Sequence, residues 1–147
     1  MTKIDFYVLA DGSPQARELF ACRLVDKAQQ LGNRIYIHTS NEAQSRAIDK
    51  LLWTFKRDSF IPHAIDGEAP DADATALIGH QPQLNDPTQA HRRNVLINLS
   101  LEVPLFFSSF ERTAEIIDPN EQNKEAGRNR FRFYRDRGYE LKTHNIK

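Results

Sequence analysis

The chain has little cysteine, little glycine and no surplus of charge, and each shortage removes a class of function. Cys22 is the sole cysteine among 147 residues, so no internal disulfide can form. It falls inside a helical pattern and reads as a small core residue, not a nucleophile. Six glycines are scattered, and the first strand-to-helix turn, Leu9-Ala10-Asp11-Gly12-Ser13-Pro14, holds one of them. Dinucleotide and phosphate loops need several glycines for close backbone approach, so neither can be built there. Twenty Lys and Arg balance twenty Asp and Glu. A duplex-DNA binder usually carries a basic excess, so any cationic feature here is local and suits a local partner. No apolar run approaches membrane-spanning length, and Met1-Thr2-Lys3-Ile4-Asp5 lacks a signal-peptide core, so the cytoplasm is the expected compartment. His38, His63, His80, His91 and His144 are dispersed. His63, Asp66, Asp71, Asp73 and His80 match no metal-ligand spacing and read as a charged loop. No metal, cofactor or catalysis is expected.

What is present alternates strand and helix. Lys3 to Leu9 reads as a buried strand. Ser13-Pro14 offers a cap and first-turn proline for a helix carrying Leu19, Phe20, Leu24, Ala28 and Leu31, which stops at Gly32. A strand follows over 34–38, then a helix capped by Ser40 or Asn41 that ends near Trp53. Phe60-Ile61-Pro62-His63 suits a sheet edge or a strand end. An acidic loop covers 66–75, a short strand 76–79 and a polar loop 81–93. Asn94 to Leu99 is the clearest strand of the second half; 104–110 fits a short helix, and 113–117 a last strand. The order predicts a single α/β domain over 1–147: a mainly parallel sheet with helices on both faces.

Asp118 to Gly138 reads as a helix. Asp118 and Glu121 resemble a capping box, Pro119 takes the first position, and Gly138 ends it. Lys124, Arg128, Phe131 and Arg135 lie along one side, with Tyr134 beside Phe131. Such a row suits an acidic peptide or a nucleic-acid backbone. The plainer alternative makes Phe131 and Tyr134 the core face and the arginines a solvated rim. Around Trp53, Phe60 and Pro62 two readings likewise stand: an exposed interface of aromatics and proline, or a core plug closing the second helix.

Taken together and in order, four stretches resemble the chi subunit of bacterial DNA polymerase III over the full length. They are Phe6-Tyr7-x-Leu9, Trp53 with Ser59-Phe60-Ile61-Pro62-His63, Asn94-Val95-Leu96-Ile97-Asn98-Leu99, and Lys124-x-x-x-Arg128-x-x-Phe131-x-x-Tyr134-Arg135-x-x-Gly138-Tyr139-x-Leu141. The resemblance implies a Rossmann-like three-layer fold and a non-catalytic adaptor of the clamp loader, a monomer or a heterodimer with the psi subunit. It places the acidic C-terminal tail of single-stranded DNA-binding protein on Lys124, Arg128, Phe131 and Tyr134, with Ile117 lining the pocket, and the psi subunit on Trp53, Phe60 and Pro62. Phe131 stands where the family often has another aromatic, and Ile146-Lys147 lacks a tryptophan of some members. Glu68 to Ala74 is more acidic than the family leads one to expect. DNA would be reached only indirectly and no membrane is implied. The competing expectations are a direct single-strand binder using Arg128, Arg130, Arg132, Phe131 and Tyr134, and a small-molecule enzyme with a deep pocket at the strand C-termini, against which the glycine-poor first turn speaks.

Overall fold

A computed structural model describes residues 1–58, 60–68 and 74–147. The acidic stretch containing Asp71 and Asp73, and Ser59, lie outside the described residues. Seven strands form one sheet: β1 (Lys3–Leu9), β2 (Ile35–His38), β3 (His63–Ile65), β4 (Ala76–Gly79), β5 (Val95–Asn98), β6 (Arg112–Ile117) and β7 (Glu140–Ile146). Their order is β3-β4-β2-β5-β6-β1-β7, and every pairing is parallel. Parallel neighbours need crossovers, and the crossovers cover the faces, so central strands must be apolar on both sides. β2 and β4 are accordingly buried at every position.

The helices among the described residues are α1 (Ala16–Gln30), α2 (Glu42–Thr54), α3 (Gln89–Arg92) and α4 (Glu121–Asp136), with a 3₁₀ turn at Phe107–Ser109. Strand alternation sorts the core into two layers. Leu9, Ile37, Ile97 and Ile116 meet Ala21, Cys22 and Val25 of α1 and Ile48 and Leu52 of α2. On the opposite face Ile4, Phe6 and Leu96 meet Tyr134 of α4 together with Phe107 and Phe110. This is the three-layer α/β architecture, Rossmann-like and parallel throughout. Burial pushes the Cys22 thiol up to about 12, which suits packing and not nucleophilic chemistry.

The strand over 113–117 is not the last. β7 follows α4 and pairs with β1 from Lys3–Glu140 to Leu9–Ile146. It is an edge strand rich in polar residues, so it lacks the apolar run that marks an interior strand. His144 holds it in place, with Nε2 3.0 Å from Asp5 Oδ1 and its ring stacked on Tyr7 at 4.8 Å. Two helix starts also differ from expectation. Ser13-Pro14 lies ahead of α1, whose cap residue is Gln15 in a left-handed conformation. In α4 the cap is Asn120, whose side chain accepts from the Asn123 N–H; Asp118 instead folds the preceding turn by accepting from the Asn120 N–H.

Candidate functional site

The side of α4 that meets the sheet is made by Gly127, Arg130 and Tyr134, all buried. Gly127 lets the helix approach the end of β6: a Cβ there would stand 2.5 Å from Ile117 Cδ1. Lys124 and Phe131 lie one turn either side of Gly127, and Arg128 follows it. The structure therefore gathers Ile117, Lys124, Arg128 and Phe131 on one flank of α4. Phe131 is half-buried, with its ring edge-on to Phe6 at 5.2 Å. Lys124 Nζ reaches Glu121 at 3.7 Å. Arg128 is exposed, and no ion pair holds it among the described residues.

Tyr134 does not belong to that surface. It is fully buried, and its hydroxyl donates to Glu115 Oε2 at 2.7 Å. Burial first, then the Glu115 carboxylate, push its pKa far up. Arg130 is also withdrawn: its Nε donates to Glu115 Oε1 at 2.7 Å and its Nη1 to the Leu101 carbonyl at 3.0 Å. Asn98 Nδ2 donates to both Glu115 oxygens, at 3.1 and 3.0 Å. One buried carboxylate thus collects three side chains and anchors α4 to β5 and β6. The sequence reading missed Gly127 and Glu115. A glycine inside a helical pattern and a carboxylate inside an apolar strand were the available signals.

The second surface lies at the far end of α2. Trp53 is 56% exposed and Phe60 65% exposed, with ring centroids 5.7 Å apart. The core-plug alternative fails, because Leu52 is the residue buried there. Pro62 is exposed, whereas Ile61 beside it is buried and pins the segment. His63 Nδ1 lies 2.7 Å from the Ile61 carbonyl and supports Trp53 with its ring at 4.7 Å.

A crevice of about 470 Å³ opens at the C-terminal ends of β2, β4 and β5, where α/β sheets commonly hold ligands. Burial, aided by His80, holds His38 down at about 4, so that imidazole is neutral at pH 7. His80 Nδ1 lies 3.1 Å from Ser45 Oγ, but that hydroxyl is fully buried and shared with Thr39 at 2.7 Å. Ser45 is not among the residues lining the crevice, so its hydroxyl is not presented to that space. Among the described residues no group of three or more His, Cys, Asp or Glu could hold a metal, and no helix is long and apolar enough to cross a membrane.

These features define a Rossmann-like α/β protein that presents a basic-apolar helix flank and an aromatic patch. The family model described as "DNA polymerase III chi subunit, HolC" matches residues 1–142. The DNA polymerase III subunit chi of Pseudomonas aeruginosa is 42% identical over 99% of this chain and 98% of that protein. Those of Haemophilus influenzae and Escherichia coli are 30% and 28% identical, over 96% and 97% of this chain and 95% and 97% of theirs. The chain belongs to the DNA polymerase III chi subunit family, accessory subunits of a replicative polymerase. In fold alone it is similar to "The crystal structure of T4 UvsW", with a TM-score of 0.65 at 11% identity, over 99% of this chain and 42% of that one.

Proposed function

We propose that the chain is a non-catalytic adaptor within the polymerase assembly, with a different partner on each exposed surface. The flank of α4 receives the acidic C-terminal tail of single-stranded DNA-binding protein, and the patch of Trp53, Phe60 and Pro62 receives the psi subunit. Arg128 carries the first assignment. It is an exposed guanidinium without an ion pair among the described residues, on a rigid helix, beside the apolar side chains of Ile117 and Phe131. A planar fork of donors matches a terminal carboxylate bidentately. The apolar last side chain of such a tail rests against Phe131, and Lys124 meets the acidic residues ahead of it as a screened charge. Direct binding of single strands is the weaker reading. Two of its five groups, Arg130 and Tyr134, are buried on Glu115.

Calorimetric titration of a tail peptide tests the assignment. Arg128→Ala is expected to cost on the order of 2–4 kcal/mol of binding. Lys124→Ala costs within about 1 kcal/mol and lowers the salt dependence. Amidating the peptide's C-terminus reproduces the loss of Arg128. Unchanged affinity on amidation refutes the clamp.

A further inference from the structure

The face of the sheet opposite α4 carries a groove that neither surface above uses. It holds about 610 Å³ between the outer side of α1 and the β1–β7 side of the sheet. Phe20, Leu24, Ala28 and Leu31 form the helical wall, at spacings that keep them on one flank for about three turns. Ala114 and Val95 lie on the floor, short side chains that leave the space unfilled. Leu31, at the end of the wall, is 73% exposed, an apolar side chain without cover.

The rim is cationic although the chain as a whole is neutral. Arg23 and Lys27 are one turn apart on α1, both exposed, and neither has an ion pair among the described residues. Arg112 faces them from β6. Asp5 is the one carboxylate among the lining residues, and it is already engaged by Arg112 at 3.1 Å and His144 at 3.0 Å. Three cations against a shared carboxylate leave an excess of positive charge around an apolar trough.

We propose that this groove is a third docking site, and that its occupant is an acidic amphipathic helix of a protein partner. Helix-in-groove recognition needs an elongated apolar trough that accepts side chains at i, i+3, i+4 and i+7, and the wall along α1 has that form. The rim selects the sign, since acidic residues flanking the apolar stripe meet Arg23, Lys27 and Arg112. The site lies across the sheet from α4 and does not include Trp53, so it stands independently of the adaptor assignments.

The test uses the full chain, isotope-labelled for NMR, and two designed peptides of roughly four helical turns. Both carry the same leucine stripe, flanked by glutamates in one and lysines in the other. The acidic peptide is expected to shift the amides of Tyr7, Leu24, Ala28 and Ala114. Its affinity should fall by about tenfold or more in Arg23→Glu/Lys27→Glu, because two rim charges are reversed. Both residues are exposed, so the melting temperature should hold. Ala28→Trp, which fills the trough, should block binding, while the basic peptide should not bind. The proposal is overturned if neither peptide binds, if both bind equally, or if the shifts map to α4 or Trp53. It also falls if dodecanoate occupies the groove while the acidic peptide does not, or if the same amides report self-association of the free protein.

Discussion

Replacing Arg130 by methionine isolates what the buried polar cluster does for α4. Arg130 is 3% exposed and Glu115 is fully buried, so neither charge has water to fall back on. Arg130→Met keeps much of the side-chain volume and removes the guanidinium, leaving Glu115 with the neutral donors of Asn98 and Tyr134. Breaking a buried pair from one side costs roughly 3–5 kcal/mol, because the remaining charge stays desolvated. The Leu101 carbonyl also loses its donor, adding about 1 kcal/mol. Glu115→Gln in the same chain removes the stranded charge and keeps an acceptor for Tyr134. The double variant should therefore be less destabilised than the two single losses summed, by about 2 kcal/mol. Urea unfolding followed by far-UV circular dichroism measures all three variants. The argument is refuted if Arg130→Met costs under about 1 kcal/mol, as a surface arginine would, or if the two changes simply add.

Other perturbations read different parts of the molecule. Trp53→Ala should cost within about 1 kcal/mol in thermal melts, well short of the roughly 3–5 kcal/mol of a core aromatic, while abolishing co-purification with a psi subunit. A strongly destabilised Trp53→Ala would contradict the exposed patch. Gly127→Ala gains about 1 kcal/mol of helix propensity but forces a Cβ onto Ile117, at an overpacking cost of about 1–3 kcal/mol. It should destabilise the parent by about 1 kcal/mol yet stabilise an Ile117→Ala background, and stabilisation in both would remove the close approach from the account. His38 is held at about 4 instead of its ordinary 6.5. The unfolded chain then binds the extra proton first, so stability is full above pH 6.5 and falls towards pH 4 by up to about 3 kcal/mol. Chemical unfolding across that window should show a shallower loss in His38→Gln than in the parent; equal slopes would contradict it.

The interior of the fold was legible because burial on both faces leaves an apolar run that alternation cannot hide. β1, β2, β4, β5 and β6 lie within a residue or two of where composition places them. The edges were not. β7 is polar and gains its place from pairing with β1 and from His144, neither of which a local window contains. Helix starts were misread because several capping residues compete within a few positions. Asp118 and Asn120 both fold back onto backbone N–H groups, and only tertiary placement decides which one ends up as the cap. The aromatic patch left an interface and a core plug open, since a tryptophan at a helix end serves either; Leu52, one residue earlier, takes the buried position.

The arginines of α4 show why residue type could not define the site. Arg128 and Arg130 are two positions apart, which on a helix is about 200° of rotation, so one must face away when the other faces in. Their difference is made by Glu115, thirteen residues before Arg128 on a neighbouring strand, whose carboxylate needs a cation once it is buried. That demand fixes the rotation of α4 about its own axis, and Tyr134 and Gly127 reinforce it from the same side. Arg128 and Phe131 are then displayed together beside Ile117 as a consequence. If a peptide docks on that flank as proposed, the groups that aim it, Arg130 and Glu115, lie buried beneath the surface it would cover, so Arg130→Met should weaken peptide binding although Arg130 makes no contact with the peptide.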